Sequence, residues 1–104
     1  MSTEADLWVA VLRLDLSIPG SRSLKDRRQV VKSLRDRLIA KFNVSCADVS
    51  PSESWARASL GLAAVSNDRA FLESLCQQIE RYARHDPDAL AGRIEKDIFH
   101  YEGA

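Results

Sequence analysis

The sequence predicts an α+β domain in which four antiparallel strands form one sheet and two helices cover one of its faces. Two observations carry that prediction. Two amphipathic stretches, Leu24 to about Phe42 and a second ending near Arg84, each follow a residue suited to cap a helix. A long apolar strand pattern precedes each helix and a shorter, more polar one follows it. The order β-α-β-β-α-β is two split β-α-β units in tandem, and it folds naturally with strands one and three in the middle and strands two and four at the edges.

Each element has its own warrant. From Leu7 to Leu16, Trp8, Ala10, Leu12, Leu14 and Leu16 share one face, and Arg13 and Asp15 lie on the other. Val9 and Val11 make the early part apolar on both sides, as in a central strand. Ser17-Ile18-Pro19-Gly20-Ser21 breaks the pattern with loop residues. Ser23 is a good N-cap, and Asp26 three residues later resembles a capping box with the shorter acid. Leu24, Val31, Leu34, Leu38 and Phe42 then recur at helical spacing.

Val44 to Val49 reads as a short edge strand, and Ser50-Pro51-Ser52-Glu53-Ser54 as a turn. Trp55 to Val65 is the second long strand, with Ala56, Ala58, Leu60, Leu62 and Ala64 on one face and Arg57, Ser59, Gly61 and Ala63 on the other. Ser66-Asn67-Asp68 supplies an N-cap and a first-turn acid for a helix whose stripe is Phe71, Leu72, Leu75, Cys76, Ile79 and Tyr82. His85-Asp86-Pro87-Asp88 ends that helix, and Ile94 to Tyr101 reads as a last edge strand.

A chain of 104 residues with 45% apolar and 29% charged residues suits one hydrophobic core. A single domain is expected over residues 7–102 behind a disordered leader at 1–6. No window approaches the ~18 consecutive apolar residues of a membrane span. The first residues lack the basic start and apolar run of a secretory signal. No membrane partner and a cytoplasmic location are therefore expected, with Cys46 and Cys76 as two reduced, buried thiols. His85 and His100 stand apart from each other and from any ligand-spaced cysteine or carboxylate, so neither a metal site nor a cofactor is expected.

The charge is lopsided. Between Ser21 and Lys41 lie eight cations and only two anions, so this segment is +6 in a chain of net charge zero and the remainder is −6. Lys25, Arg27 and Arg28 fall near the start of the first helix, where free N–H groups already carry partial positive charge and acids are favoured. A docked phosphate would reverse that penalty. At ~100° per residue, Lys25, Arg28, Lys32 and Arg35 share one flank, and Arg22 extends it into the preceding loop. The flank is a candidate surface for a phosphate backbone, and a solvated basic face is the alternative. Arg27 falls inside the apolar stripe, so it is expected to reach past the core edge to a carboxylate or a backbone carbonyl.

On the open sheet face, Arg13, Arg57, Ser59, Gly61 and Ala63 include no aromatic residue, which disfavours base stacking on the central strands. Val9, Val11, Ser59, Gly61 and Ala63 instead form a surface that a second copy can approach closely, and a bare solvated sheet is the alternative. Arg57 and Arg69 are secondary anion candidates, with pairing of Arg69 to a nearby acid as the commoner arrangement. Trp55 reads as a core-edge anchor in preference to an exposed contact. No nucleophile-base motif and no glycine-rich phosphate loop is present, and nothing in the spacing of Asp15, Asp48 and Asp97 forces them together. Enzyme chemistry therefore finds little support in the sequence.

The stretches Leu12-Arg13-Leu14-Asp15-Leu16-Ser17-Ile18-Pro19, Ser23-Leu24-Lys25-Asp26-Arg27-Arg28, Lys41-Phe42-Asn43-Val44-Ser45 and Val65-Ser66-Asn67-Asp68-Arg69 resemble the YlxP-like family, a small bacterial family of unknown function. The resemblance runs from about Val9 to Tyr101, and the chain departs from the family pattern across Asp86 to Gly92. It implies a ferredoxin-like fold. Members are commonly encoded beside translation initiation factor two and ribosome-binding factor A, which implies a role near ribosome assembly or translation. The expectation is a non-enzymatic binding protein that docks on RNA or a ribosomal particle through its first helix. The alternative is a homodimeric interaction or small-ligand-sensing module that uses the open sheet face.

Overall fold

The computed structural model describes residues 6–50 and 53–102. It has the expected order: β1 (Trp8–Ser17), α1 (Leu24–Phe42), β2 (Ser45–Asp48), β3 (Arg57–Ser66), α2 (Arg69–Arg84) and β4 (Leu90–His100). The sheet runs β2-β3-β1-β4, antiparallel throughout, with the two apolar strands central as expected. The leader expected at 1–6 lies outside the described residues except for Asp6, and so do Pro51 and Ser52 of the expected turn.

The core lies between one sheet face and the two helices. Ala10, Leu12, Leu14 and Leu16 of β1 and Ala58, Leu60 and Leu62 of β3 meet Val31, Leu34 and Leu38 of α1 and Leu72, Leu75, Cys76 and Ile79 of α2. Helix α1 packs over β2 and β3, and α2 over β4 and β1. Period-two alternation on the strands and the helical stripes thus converge on one layer, which leaves the odd-numbered residues of β1 and β3 on the open face.

Several local expectations change. Ile18, read as a loop residue, is buried, and its N–H donates to Ala56 O at 2.8 Å, extending the β1–β3 pairing past the strand end. Asp68 itself caps α2, its carboxylate accepting from the Ala70 N–H at 3.0 Å, and no acid follows in the first turn. Phe71, placed in the α2 stripe, is exposed, because it precedes the face that Leu72 and Leu75 turn toward the sheet. Trp55 is also exposed rather than anchored: it sits in the turn before β3, where none of the described elements covers it.

Strand β4 starts at Leu90, four residues before the expected Ile94. The alternation is broken there by a bulge: Leu14 faces Ile94 and Leu16 faces Ala91, so Gly92 and Arg93 both stand against Asp15. That irregularity lies at the edge of the segment in which the chain departs from the family pattern. Arg84 of α2 braces it, donating to Gly92 O at 3.2 Å and Ala91 O at 3.4 Å.

Candidate functional site

The basic flank of α1 is built on a well-made helix start. Ser23 Oγ accepts the Asp26 N–H at 3.0 Å, and Asp26 Oδ2 accepts the Arg22 N–H at 3.0 Å, a reciprocal cap displaced one residue outward. Arg27 turns inward and donates to Ser54 O at 2.8 Å, tying the segment before β3 to the helix. Its neighbours turn outward. The side chains of Arg22, Lys25 and Arg28 are exposed and make no ion pair with any described residue.

Further along, the flank is less free. Lys32 Nζ lies 2.8 Å from Asp36 Oδ2 and Arg35 Nη2 lies 3.0 Å from Asp36 Oδ1. Those bonds, Lys32's first and Arg35's next, lower the Asp36 pKa. Arg28, Val31, Lys32 and Arg35 border a shallow groove whose other wall includes Asp48 of β2. An anion bound there meets that carboxylate. The five candidates thus divide into an unpaired group, Arg22, Lys25 and Arg28, and a compensated pair, Lys32 and Arg35.

The open sheet face is graded along the strands. Its first row is Phe99, Val9 and Val65, and its second is Asp97, Val11, Ala63 and Ser45. Val65 is 63% exposed, and Val11 and Phe99 are each about 40% exposed. The third row is Glu95, Arg13, Gly61 and Ala47, in which Arg13 pairs with Glu95. The fourth holds Arg93, Asp15 and Ser59, and beside it the Val49 N–H donates to Ser59 O. Val49 also covers Gly61: a Cβ built there would lie 3.4 Å from a Val49 methyl. Of the candidate dimer residues, Val9, Val11 and Ala63 therefore lie at the apolar end, and Ser59 and Gly61 lie toward the charged end, with Gly61 under Val49.

Phe99, Val65 and Arg93 belong to this face but were not assigned to it from sequence. The inward pair Ile94 and Ile98 was the available signal, because a period of two starting there turns Phe99 outward. Arg57 and Arg69, the secondary anion candidates, do not come together: Arg57 opens β3 and Arg69 opens α2 beyond the other end of that strand, about 30 Å away by strand rise. Arg69 pairs with Glu73 at 2.8 Å and stacks over the Trp8 ring at 5.2 Å, whereas Arg57 has no ion-pair partner among the described residues.

Asp15 and Asp97 lie on the open face and Asp48 on the helix side, so the sheet does not unite them. Among the described residues no three His, Cys, Asp or Glu side chains group closely enough to hold a metal ion, and no helix is long and apolar enough to cross a membrane. Both cysteines are free, Cys76 buried and Cys46 half-buried, and burial pushes the Cys46 thiol up to about 11.

A family model described as a protein of unknown function (DUF503) matches residues 9–95. The uncharacterized protein YlxP of Bacillus subtilis (strain 168) is 36% identical over 66 residues, which are 64% of this chain and 72% of that protein. A solved structure, the de novo designed protein Foldit4, superposes with a TM-score of 0.54 over 89% of this chain and 96% of that one. At 13% identity, that likeness shows the fold alone.

Proposed function

The chain belongs to the family of proteins of unknown function DUF503, and for it we propose the role of a non-enzymatic cytoplasmic binding protein that docks on RNA, free or in a ribosomal particle, through the flank of α1. The observation that carries this reading is the group Arg22, Lys25 and Arg28. These are exposed cations without an acid partner among the described residues, at the helix end where backbone N–H groups also point outward. Three such charges add nothing to folding, because they repel one another and oppose the helix dipole. A phosphate backbone satisfies all of them at once. Lys32 and Arg35 extend the track by exchanging an exposed pairing of little worth for a phosphate.

The test is binding of a labelled single-stranded RNA, and co-sedimentation with ribosomal subunits, each as a function of salt. Every phosphate neutralised adds about 0.7 to the slope of log affinity against log salt on a single strand. Replacing Lys25, Arg28, Lys32 and Arg35 together by Glu is expected to weaken binding to every sequence and flatten that slope. Wild type that does not bind at low salt, or a quadruple variant that binds equally well, would overturn the reading.

A second reading has its own support. The exposed row Phe99, Val9 and Val65, together with a cleft beside Arg57, suits a sheet face that meets a second copy or a small ligand.

A further inference from the structure

At the end of the open face where β1 finishes and β3 and β4 begin, Asp15, Ser17, Arg57, Ser59, Gly92 and Arg93 line a cleft of about 350 Å³. That volume is at the small end of small-molecule sites. The bulge in β4 shapes it. Two residues of β4 stand against one of β1, which bends the edge strand, and the Arg84 bonds to the Ala91 and Gly92 carbonyls hold the bend from the helix side.

The charges around the cleft are incompletely matched. Arg57 has no ion-pair partner among the described residues. Arg93 Nε reaches only to 3.5 Å from Glu95 Oε1, an oxygen already taken by Arg13. Two guanidinium groups therefore keep spare donors. Asp15 is the counterpart. Its Oδ1 accepts the Ser59 hydroxyl at 2.8 Å and faces Arg13 Nε at 3.5 Å, which fixes the carboxylate. Its Oδ2 has no partner among the described residues. A plain anion would be drawn by the arginines and repelled by Asp15, whereas a plain cation would meet the reverse.

We propose that this cleft binds a small zwitterion of the α-amino-acid class, with the carboxylate on Arg57 and Arg93 and the ammonium on Asp15. Such a ligand carries both charged groups on one carbon and satisfies both sets of partners. A guanidinium binds a carboxylate through parallel N–H donors, which orients the ligand as well as holding it. The Ser17 hydroxyl, exposed at the rim, adds a neutral donor or acceptor for a polar side chain. This assignment rests on the reading of the open face as a small-ligand surface and does not depend on α1.

The experiment is an amide NMR titration of the full chain with individual proteinogenic α-amino acids at millimolar concentration, beside acetate, ethylamine and inorganic phosphate. Saturable shifts centred on Ser17, Ser59, Gly92 and Arg93 are expected for at least one amino acid and for neither acetate nor ethylamine. Arg57→Gln, Arg93→Gln and Asp15→Asn are each expected to weaken that binding by roughly tenfold or more. Should one variant fail to fold, the others carry the test, since Arg57 and Arg93 are on different strands. If acetate or phosphate binds as well as the amino acid and Asp15→Asn does not weaken it, the zwitterion assignment is overturned while the small-ligand reading of the face stands. If no probe shifts these amides, both fall.

Discussion

At the Asp86 carboxylate two opposing effects meet. Burial raises its pKa, but the Ala89 N–H at 2.8 Å, the Arg37 guanidinium at 2.8 Å and the Asp88 N–H at 3.1 Å together outweigh burial, and the net pKa is lowered. The unfolded chain therefore takes up the proton first as the solution is acidified. The stabilisation is fully present above the ordinary carboxylate pKa of about 4 and is lost as pH falls through the lower folded value. Asp86→Asn is expected to lower stability at neutral pH by about 2 kcal/mol, the order of a charge-assisted bond lost in a buried place. The two proteins should converge in strong acid. Urea unfolding across that pH range is the check, and parallel curves would contradict it. Cys46 gives a second residue-scale prediction. With its thiol pushed up to about 11 by burial, alkylation by iodoacetamide should be slow at neutral pH and accelerate only in strong base.

Helix α1 combines a good cap with cations where the dipole disfavours them, which makes stability and the proposed binding separable. Lys25→Glu removes an exposed cation beside the cap and places an acid in the first turn. An increase of about 0.5 kcal/mol in unfolding free energy is expected, with RNA binding weakened. Calorimetry and RNA titration of the same sample check both, and a loss of stability would show that Lys25 holds the fold. The same helix shows why the sequence was legible where it was. Ser23, Asp26 and the spacing of Val31, Leu34 and Leu38 all point to one helix, and it runs over Leu24–Phe42 as expected. Strand β4 was poorly legible because its first four residues carry no alternation, and a bulge, which depends on pairing with β1, cannot be read from β4 alone. Trp55 and Phe71 failed for a related reason: an apolar side chain signals burial only where another layer covers it. The row of cations on α1 was legible, but its division by Asp36 and Asp48 depends in part on β2 lying beside the helix.

For the molecule as a whole, the question is what the uncovered side of a two-layer fold does. The helices bury one sheet face, and the other ends in an apolar row of Phe99, Val9 and Val65. Leu7 and Tyr101 continue it past the strand ends, joined by the Tyr101 N–H to Leu7 O bond of 2.8 Å, and both are exposed. Two copies meeting through these rows would remove apolar area from water at ~25 cal/mol per Å². The apolar surface is bounded by Asp97 in the second row and by Arg13 and Glu95 in the third, so a contact confined to it is small beside the ~1,200 Å² typical of stable complexes. Against the free-energy cost of association, weak self-association is the expected outcome. Sedimentation equilibrium should show monomer when dilute and a growing dimer fraction at high concentration. Val65→Asp is the informative substitution. Val65 is the most exposed of these side chains, whereas a side chain added at Gly61 would first meet Val49. The variant should remain monomeric at all concentrations with its stability nearly unchanged, because an exposed side chain contributes little to the core. A Val65→Asp protein that dimerises as the wild type does would move the contact off this face and leave the apolar row without a role in self-association.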